Sequence, residues 1–191
     1  MTRLRYNGWK WRAMALLVFG RKHAALDLFE SMLGEFPRDA YALASKGHLL
    51  AELGRRREGL AVLKELVEVC PDNARHWFNY GFMLEHMGEY ADAESAFRRS
   101  TELSPQLDRA WYGLGLVLIR LQRFDEAVTA LKKNTKLQPM SPYGWYQLAR
   151  VHADRHEPEE ARKIIRHLHR FEPKVAAQLE RETGLSVEPA S

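Results

Sequence analysis

The sequence predicts an all-α chain built as a solenoid of five helix-turn-helix repeats. Three observations carry that expectation. Prolines stand at Pro37, Pro71, Pro105, Pro139 and Pro173, each 34 residues from the last. Fixed self-similarity at this period is the signature of a stacked repeat array. With proline near the end of each unit, the repeats run 6–39, 40–73, 74–107, 108–141 and 142–175. Columns of constant character then appear, and turn residues recur between them.

The columns define two helices per repeat. Position four holds Trp9, Leu43, Trp77, Trp111 and Trp145, and position eight holds Ala13, Gly47, Gly81, Gly115 and Ala149. Position eleven holds Leu16, Leu50, Leu84, Leu118 and His152. These positions are three or four apart and share one helical face. Position twenty is Ala25, Gly59, Ala93, Ala127 and Ala161, and position twenty-four is Phe29, Leu63, Phe97, Leu131 and Ile165. Small residues at eight and twenty let two backbones approach, and the large ones fill the space around them. Two helices of about fourteen residues, each roughly 20 Å long, fit one unit.

Punctuation completes the repeats. Gly20, Gly54 and Gly88 occupy position fifteen, where a left-handed residue ends a helix. Asp39, Asn73 and Ser141 precede three units as N-caps, with Pro142 at a first helical position. Residues 1–5 form a lead. A short helix from Lys174 to Thr183 suits a cap on the last apolar face, stopped at Gly184, and 176–191 ends in a frayed tail.

Composition bounds the function. The chain has 191 residues, 46% hydrophobic and 28% charged, which is a globular balance. A net charge of +4, from 29 basic and 25 acidic side chains, names no nucleic-acid partner. Repeats 108–141 and 142–175 carry +3 and +2, and 74–107 carries −2, so the surplus leans toward the C-terminal half. The single Cys70 excludes an internal disulfide and suits a cytoplasmic location, with peripheral membrane association and export left open. The apolar run Ala13 to Phe19 follows Arg3, Arg5, Lys10 and Arg12 in the manner of a signal peptide. It is only about seven residues long and regains charge at Arg21, so an ordinary helix is preferred. It is too short to span a membrane.

Catalytic and metal chemistry find no constellation. Cys70 has no histidine partner in register. Gly113 and Gly115 lie inside a predicted helix, where close packing accounts for them better than a phosphate loop. His152 and His156 fall at the end of one helix, and His167 and His169 near the end of its antiparallel mate, so four metal ligands do not converge. His152 occupies a leucine column and reads as a packed side chain. No cofactor and no metal are implied.

These residues resemble the tetratricopeptide repeat family over 6–175. The run W-F-N-Y-G-F-M-L at 77–84, with Ala93, Phe97 and Pro105, is close to its pattern. The second unit departs, with Leu43 for tryptophan and Arg56 where an aromatic is common. Position twenty-seven, usually alanine, reads Met32, Leu66, Ser100, Asn134 and Leu168. The resemblance implies a right-handed superhelix whose first helices line a concave groove. Carried over by register, that groove holds Tyr41, His48, Arg75, Phe78, Phe82, Arg109, Tyr112, Leu116, Arg120, Tyr143, Tyr146 and Arg150.

Rigid aromatics and forked arginines point to a protein or peptide partner with apolar anchors and some acidic character. The lysine and asparagine clamp used for chaperone tails is missing: the matching pairs are Lys10 and Met14, Ala44 and His48, and Phe78 and Phe82. Trp11 stands where later units carry Ser45, Asn79, Gly113 and Gln147, either as an exposed anchor or as a shield for the open end. The expected function is a non-catalytic interaction adaptor. Self-assembly through the repeat ends is an alternative. RNA binding by helical repeats is a lesser one, set against by Glu85 and Asp154 on the same surface.

Overall fold

A computed structural model describes residues 2–187, and of residues 2–4 the backbone alone. All of its regular structure is helical. The chain divides into two compact units, residues 1–88 and 89–191. The first unit holds α1 (Thr2–Val18), α2 (Lys22–Glu35), α3 (Ala40–Glu52), α4 (Arg56–Val69) and α5 (Ala74–His86). The second holds α6 (Tyr90–Leu103), α7 (Asp108–Arg120), α8 (Phe124–Leu137), α9 (Pro142–Asp154), α10 (Pro158–His169) and α11 (Pro173–Thr183). Helices α3, α5, α7 and α9 start 34 residues apart and have 13 residues each. Helix α1 takes in residues 2–5, which the repeat register left as a lead.

In the first unit α1 pairs with α2 and α3 with α4, and successive pairs stack, ending with α5 against α4. The small columns sit where helices cross. Gly47 and Gly59 are so close that a Cβ on Gly59 would lie 2.8 Å from the Gly47 carbonyl oxygen, while one on Gly47 would lie 2.9 Å from the Leu63 side chain. Around them Ala13, Ala25, Phe29, Met32, Leu43, Leu50 and Leu66 are fully buried or nearly so.

In the second unit α7 pairs with α8 and α9 with α10; α6 packs on α7, and α11 covers α10 and α9. A Cβ on Gly115 would meet Leu131 at 2.7 Å, and one on Gly113 would meet the Phe97 ring at 2.6 Å. Both glycines of the 113–115 pair are therefore packing residues. The guanidiniums of Arg98 and Arg123 both bridge the carboxylates of Glu94 and Glu126, at 2.6–2.8 Å, tying α6 to α8.

Position twenty-seven is buried at Met32, Leu66, Ser100, Asn134 and Leu168 despite its varied chemistry. At Asn134 the amide donates to the Asp108 carbonyl at 3.0 Å, and the side chain fits because Gly144 faces it: a Cβ there would come within 2.1 Å of Asn134 Oδ1. His152, in the leucine column, is buried with its Nδ1 2.6 Å from Glu157 Oε2.

The turns repeat one hydrogen-bond pattern. After the first helix of a pair, Arg21, Arg55, Arg123 and Glu157 donate backbone N–H to the carbonyls of Leu16, Leu50, Leu118 and His152. The residue before each donor is left-handed: Gly20 and Gly54, but also Gln122 and His156, both at φ 58°. At the next turn a tryptophan does the work. Trp77, Trp111 and Trp145 donate Nε1–H to the carbonyls of Pro71, Pro105 and Pro139, at 2.7–2.9 Å. Leu43 carries no donor, so repeat 40–73 lacks this link.

Capping is partly as expected. Asp39 accepts from the Ala42 N–H and Asn73 from those of Arg75 and His76. Ser141 holds the N-cap position but makes no side-chain cap bond; Pro142 sets the helix start there instead. Gly184, at φ 70°, stops α11. Past Gly184 the chain has no regular structure, but Leu185 and Val187 pack on the core of the second unit, and the Val187 N–H donates to Glu180. Residues 188–191 of that tail lie outside the described residues. No helix among the described residues is long and apolar enough to cross a membrane.

Two stability outcomes follow. A non-glycine residue in the left-handed region costs roughly 1–2 kcal/mol. Gln122→Gly and His156→Gly should each raise stability by about 1 kcal/mol, and Gly54→Ala should lower it by about as much, read by urea unfolding. Gly144→Ala should cost about 1–3 kcal/mol by overpacking against Asn134. Adding Asn134→Ala should recover part of that loss, which a double-mutant cycle measures as coupling.

Candidate functional site

Each unit carries its own candidate surface. In the first, the exposed sides of α3 and α5 and the start of α4 wall an open pocket of about 280 Å³. Its floor is apolar, from Ala44, Ala51, Leu63 and Met83, and its rim carries His48, Glu52, Arg56 and His86. Phe82 stands on this pocket with 49% of its surface exposed, a large value for a phenylalanine. The ring is oriented by neighbours on its own helix. The His86 ring lies 4.1 Å from it and the Phe78 ring 6.2 Å. His86 is held in turn, with Nδ1 3.0 Å from the Phe82 carbonyl and 2.9 Å from Glu85.

The rim is electrostatically mixed. Lys22 bonds the Glu52 carboxylate at 2.8 Å and, with His48 at 3.0 Å, holds its carboxyl below the usual range. Glu52 is thus a paired anion, and Arg56 at the start of α4 has no ion pair among the described residues. Arg75 is exposed on the first turn of α5. Tyr41 belongs elsewhere: its ring meets the buried Phe29 edge-on at 6.1 Å, and the Lys10 ammonium sits 4.4 Å above it. It is part of the core boundary rather than of this pocket.

The second unit divides its candidates between two hollows. Arg109, Tyr112 and Tyr143 surround one of about 460 Å³, with Asp108, Asn134 and Ser141. Tyr112 is half-buried against the core, while Tyr143 is 70% exposed. The other hollow lies beside α11, where Arg150 and Asp154 face Glu182 and Thr183. Here the Tyr146 hydroxyl donates to Glu182 at 2.5 Å and Arg150 stacks 5.8 Å from the Tyr146 ring. The bond raises the phenol's pKa and, with the amide of Gln178, lowers that of the carboxyl. Leu116, half-buried, and Arg120, exposed, wall neither hollow.

Two contributors were not legible from the repeat register. Arg56, a departure from the repeat pattern, walls the first pocket. Glu182 lies on α11, past the last repeat, where no register position points inward. Trp11 is 72% exposed on α1. Among the described residues no three histidine, cysteine or carboxylate side chains come together as a metal site.

Comparison with known proteins places the chain. No curated protein matches it by sequence. Among solved structures, a MamA crystal structure superposes with a TM-score of 0.79 at 19% identity, covering 96% of this chain and 97% of that one. MamA from Desulfovibrio magneticus RS-1 gives 0.78 at 19%, covering 92% and 95%. YrrB, described as a TPR protein with an unusual peptide-binding site, gives 0.78 at 18%, covering 88% of each chain. At these identities the likeness is one of fold. The tetratricopeptide repeat model matches residues 44–108, 87–133 and 112–171, well over half of the sequence. With helix pairs recurring every 34 residues across that span, the chain belongs to the tetratricopeptide repeat family.

Proposed function

We propose that the chain is a non-catalytic protein-interaction scaffold, with repeats at 6–39, 40–73, 74–107, 108–141 and 142–175, that captures an extended peptide segment of a partner protein. One observation carries the reading. Phe82 is half exposed over an apolar-floored pocket whose rim offers Arg56 and two imidazoles. An aromatic left in water beside an apolar hollow is surface that a partner side chain can cover. A guanidinium beside it can fork onto a carboxylate. The family's interaction role and the peptide-binding site named for YrrB agree with this.

Phe78 and Phe82 serve as anchors, with His48 and Arg75 alongside. Arg109, Tyr112 and Tyr143 supply a second subsite, with Leu116 and Arg120 on the same helix as Tyr112. Tyr146 and Arg150 form a third, whose carboxylates Asp154 and Glu182 favour a basic or neutral peptide group there. Taken each by itself, the pocket on α3 and α5 suits an apolar and acidic group, and the hollow beside α11 a less acidic one.

Selection of a random peptide library on the full chain tests this. Selected peptides should pair an apolar anchor with a nearby carboxylate. Phe82→Ala should weaken them by more than about tenfold, as expected for a central aromatic hot spot, and Arg56→Glu should weaken the acidic ones selectively. Unchanged affinity in a Phe82→Ala protein of native helicity would sink the assignment.

A further inference from the structure

Helix α1 differs from the other first helices on one face. In the second unit the structure shows which face of such a helix receives the preceding one: Gly113 lies against Phe97, and Gly144 against Asn134. The same face of α1 is Gly8, Trp11 and Ala15. Trp11 stands in α1 where Gly113 stands in α7, and an indole there blocks the close approach that a glycine permits. The exposed arc continues through Met14, Val18 and Phe19, with Trp11, Val18 and Phe19 each more than 70% exposed. On the opposite side Tyr6, Trp9, Ala13 and Leu16 pack on the core of the first unit.

The charge around this arc is one-sided. The first 26 residues hold six basic side chains (Arg3, Arg5, Lys10, Arg12, Arg21 and Lys22) and no acidic one. At helical spacing Lys10 falls on one flank of the apolar arc and Arg12 and Arg5 on the other. Arg5 is paired with Glu35 and Lys22 with Glu52, Lys10 lies over the rings of Tyr6 and Tyr41, and Arg12 and Arg21 have no ion pair among the described residues. Helix α1 is apolar on both sides, one side held by the core, and the outer stripe, centred on tryptophan and flanked by cations, has the residue types that seat a protein surface in a lipid interface. A second copy docked on the same face would set cation against cation.

We infer that α1 is an interfacial docking helix that seats the chain on an anionic lipid surface, burying Trp11, Met14, Val18 and Phe19 among acyl chains while Arg12 and Arg21 meet headgroup phosphates. The chain lies on the surface and does not span it.

Vesicle co-sedimentation of the full chain tests the inference. The protein should pellet with phosphatidylcholine vesicles containing phosphatidylglycerol, far less with phosphatidylcholine alone, and less as salt rises. Each basic residue near such a surface contributes on the order of a few-fold in partitioning. Arg12→Glu with Arg21→Glu should therefore reduce binding more than about tenfold. Trp11→Ser with Val18→Ser and Phe19→Ser should abolish it with helicity retained. Quenching by brominated lipid provides a second readout on protein that is nearly native. Trp11→Phe should remove most of the quenching seen in wild type. The inference is overturned by no pelleting, by equal pelleting with uncharged vesicles, by quenching that survives Trp11→Phe, or by a self-association that the serine variant breaks without any vesicle binding.

Discussion

Everything in each unit rests on how closely two helix backbones approach inside one repeat. At Gly47 and Gly59 the approach leaves no room for a methyl group between them, and at Gly115 the Leu131 side chain fills the space a Cβ would need. Position eleven and twenty-four side chains such as Leu50, Leu63, Leu118 and Leu131 are buried around it, and that burial supplies the stabilisation. The close approach also turns the other faces of the helices outward at fixed angles. The pocket on α3 and α5 is lined in part by Leu63, the side chain that packs against Gly47.

A second constraint acts between repeats. The indole N–H of Trp77, Trp111 or Trp145 reaches the carbonyl of a proline six residues earlier. That proline ends the previous repeat, so one side chain fixes where the next helix starts. The proline period and the tryptophan column are two ends of the same hydrogen bond. Repeat 40–73 has Leu43 instead and relies on the Asp39 cap, which Tyr6 also bonds at 2.7 Å, to fix the start of α3.

Much of this was legible in the sequence because repetition averages out local ambiguity. A lone Gly-x-Gly says little, but Gly115 in a column with Gly47 and Ala149 says packing, and Phe97 beneath Gly113 bears that out. Gln122 and His156 were harder, since a left-handed turn normally announces itself by glycine and here survives without it. Position twenty-seven was harder again. Its tolerance for Asn134 depends on the absence of a side chain at Gly144, a pairing across ten residues that no single column displays. The site divides in the same way. Register placed Phe82 and His48 near one another, but it could not tell that Tyr41 is held against Phe29 and Lys10, nor that Glu182 reaches back to Tyr146.

The outer faces of α1 and of the last repeat are finished differently. A solenoid leaves an apolar face wherever stacking stops. At the C-terminal end, α11 covers α9 and α10 with Ala176 and Leu179, and presents Gln178, Arg181 and Glu182 to water. On α1 the side facing away from the core of the first unit carries Trp11, Met14 and Val18, all exposed. Arg12 takes the place of the buried Leu114 and Leu148 of later repeats, which removes one apolar residue from the open face. Trp11 adds a larger one beside it. A face meant only for water would have lost both. An indole, Val18 and Phe19 held in the open beside cations make a surface that a lipid interface can cover.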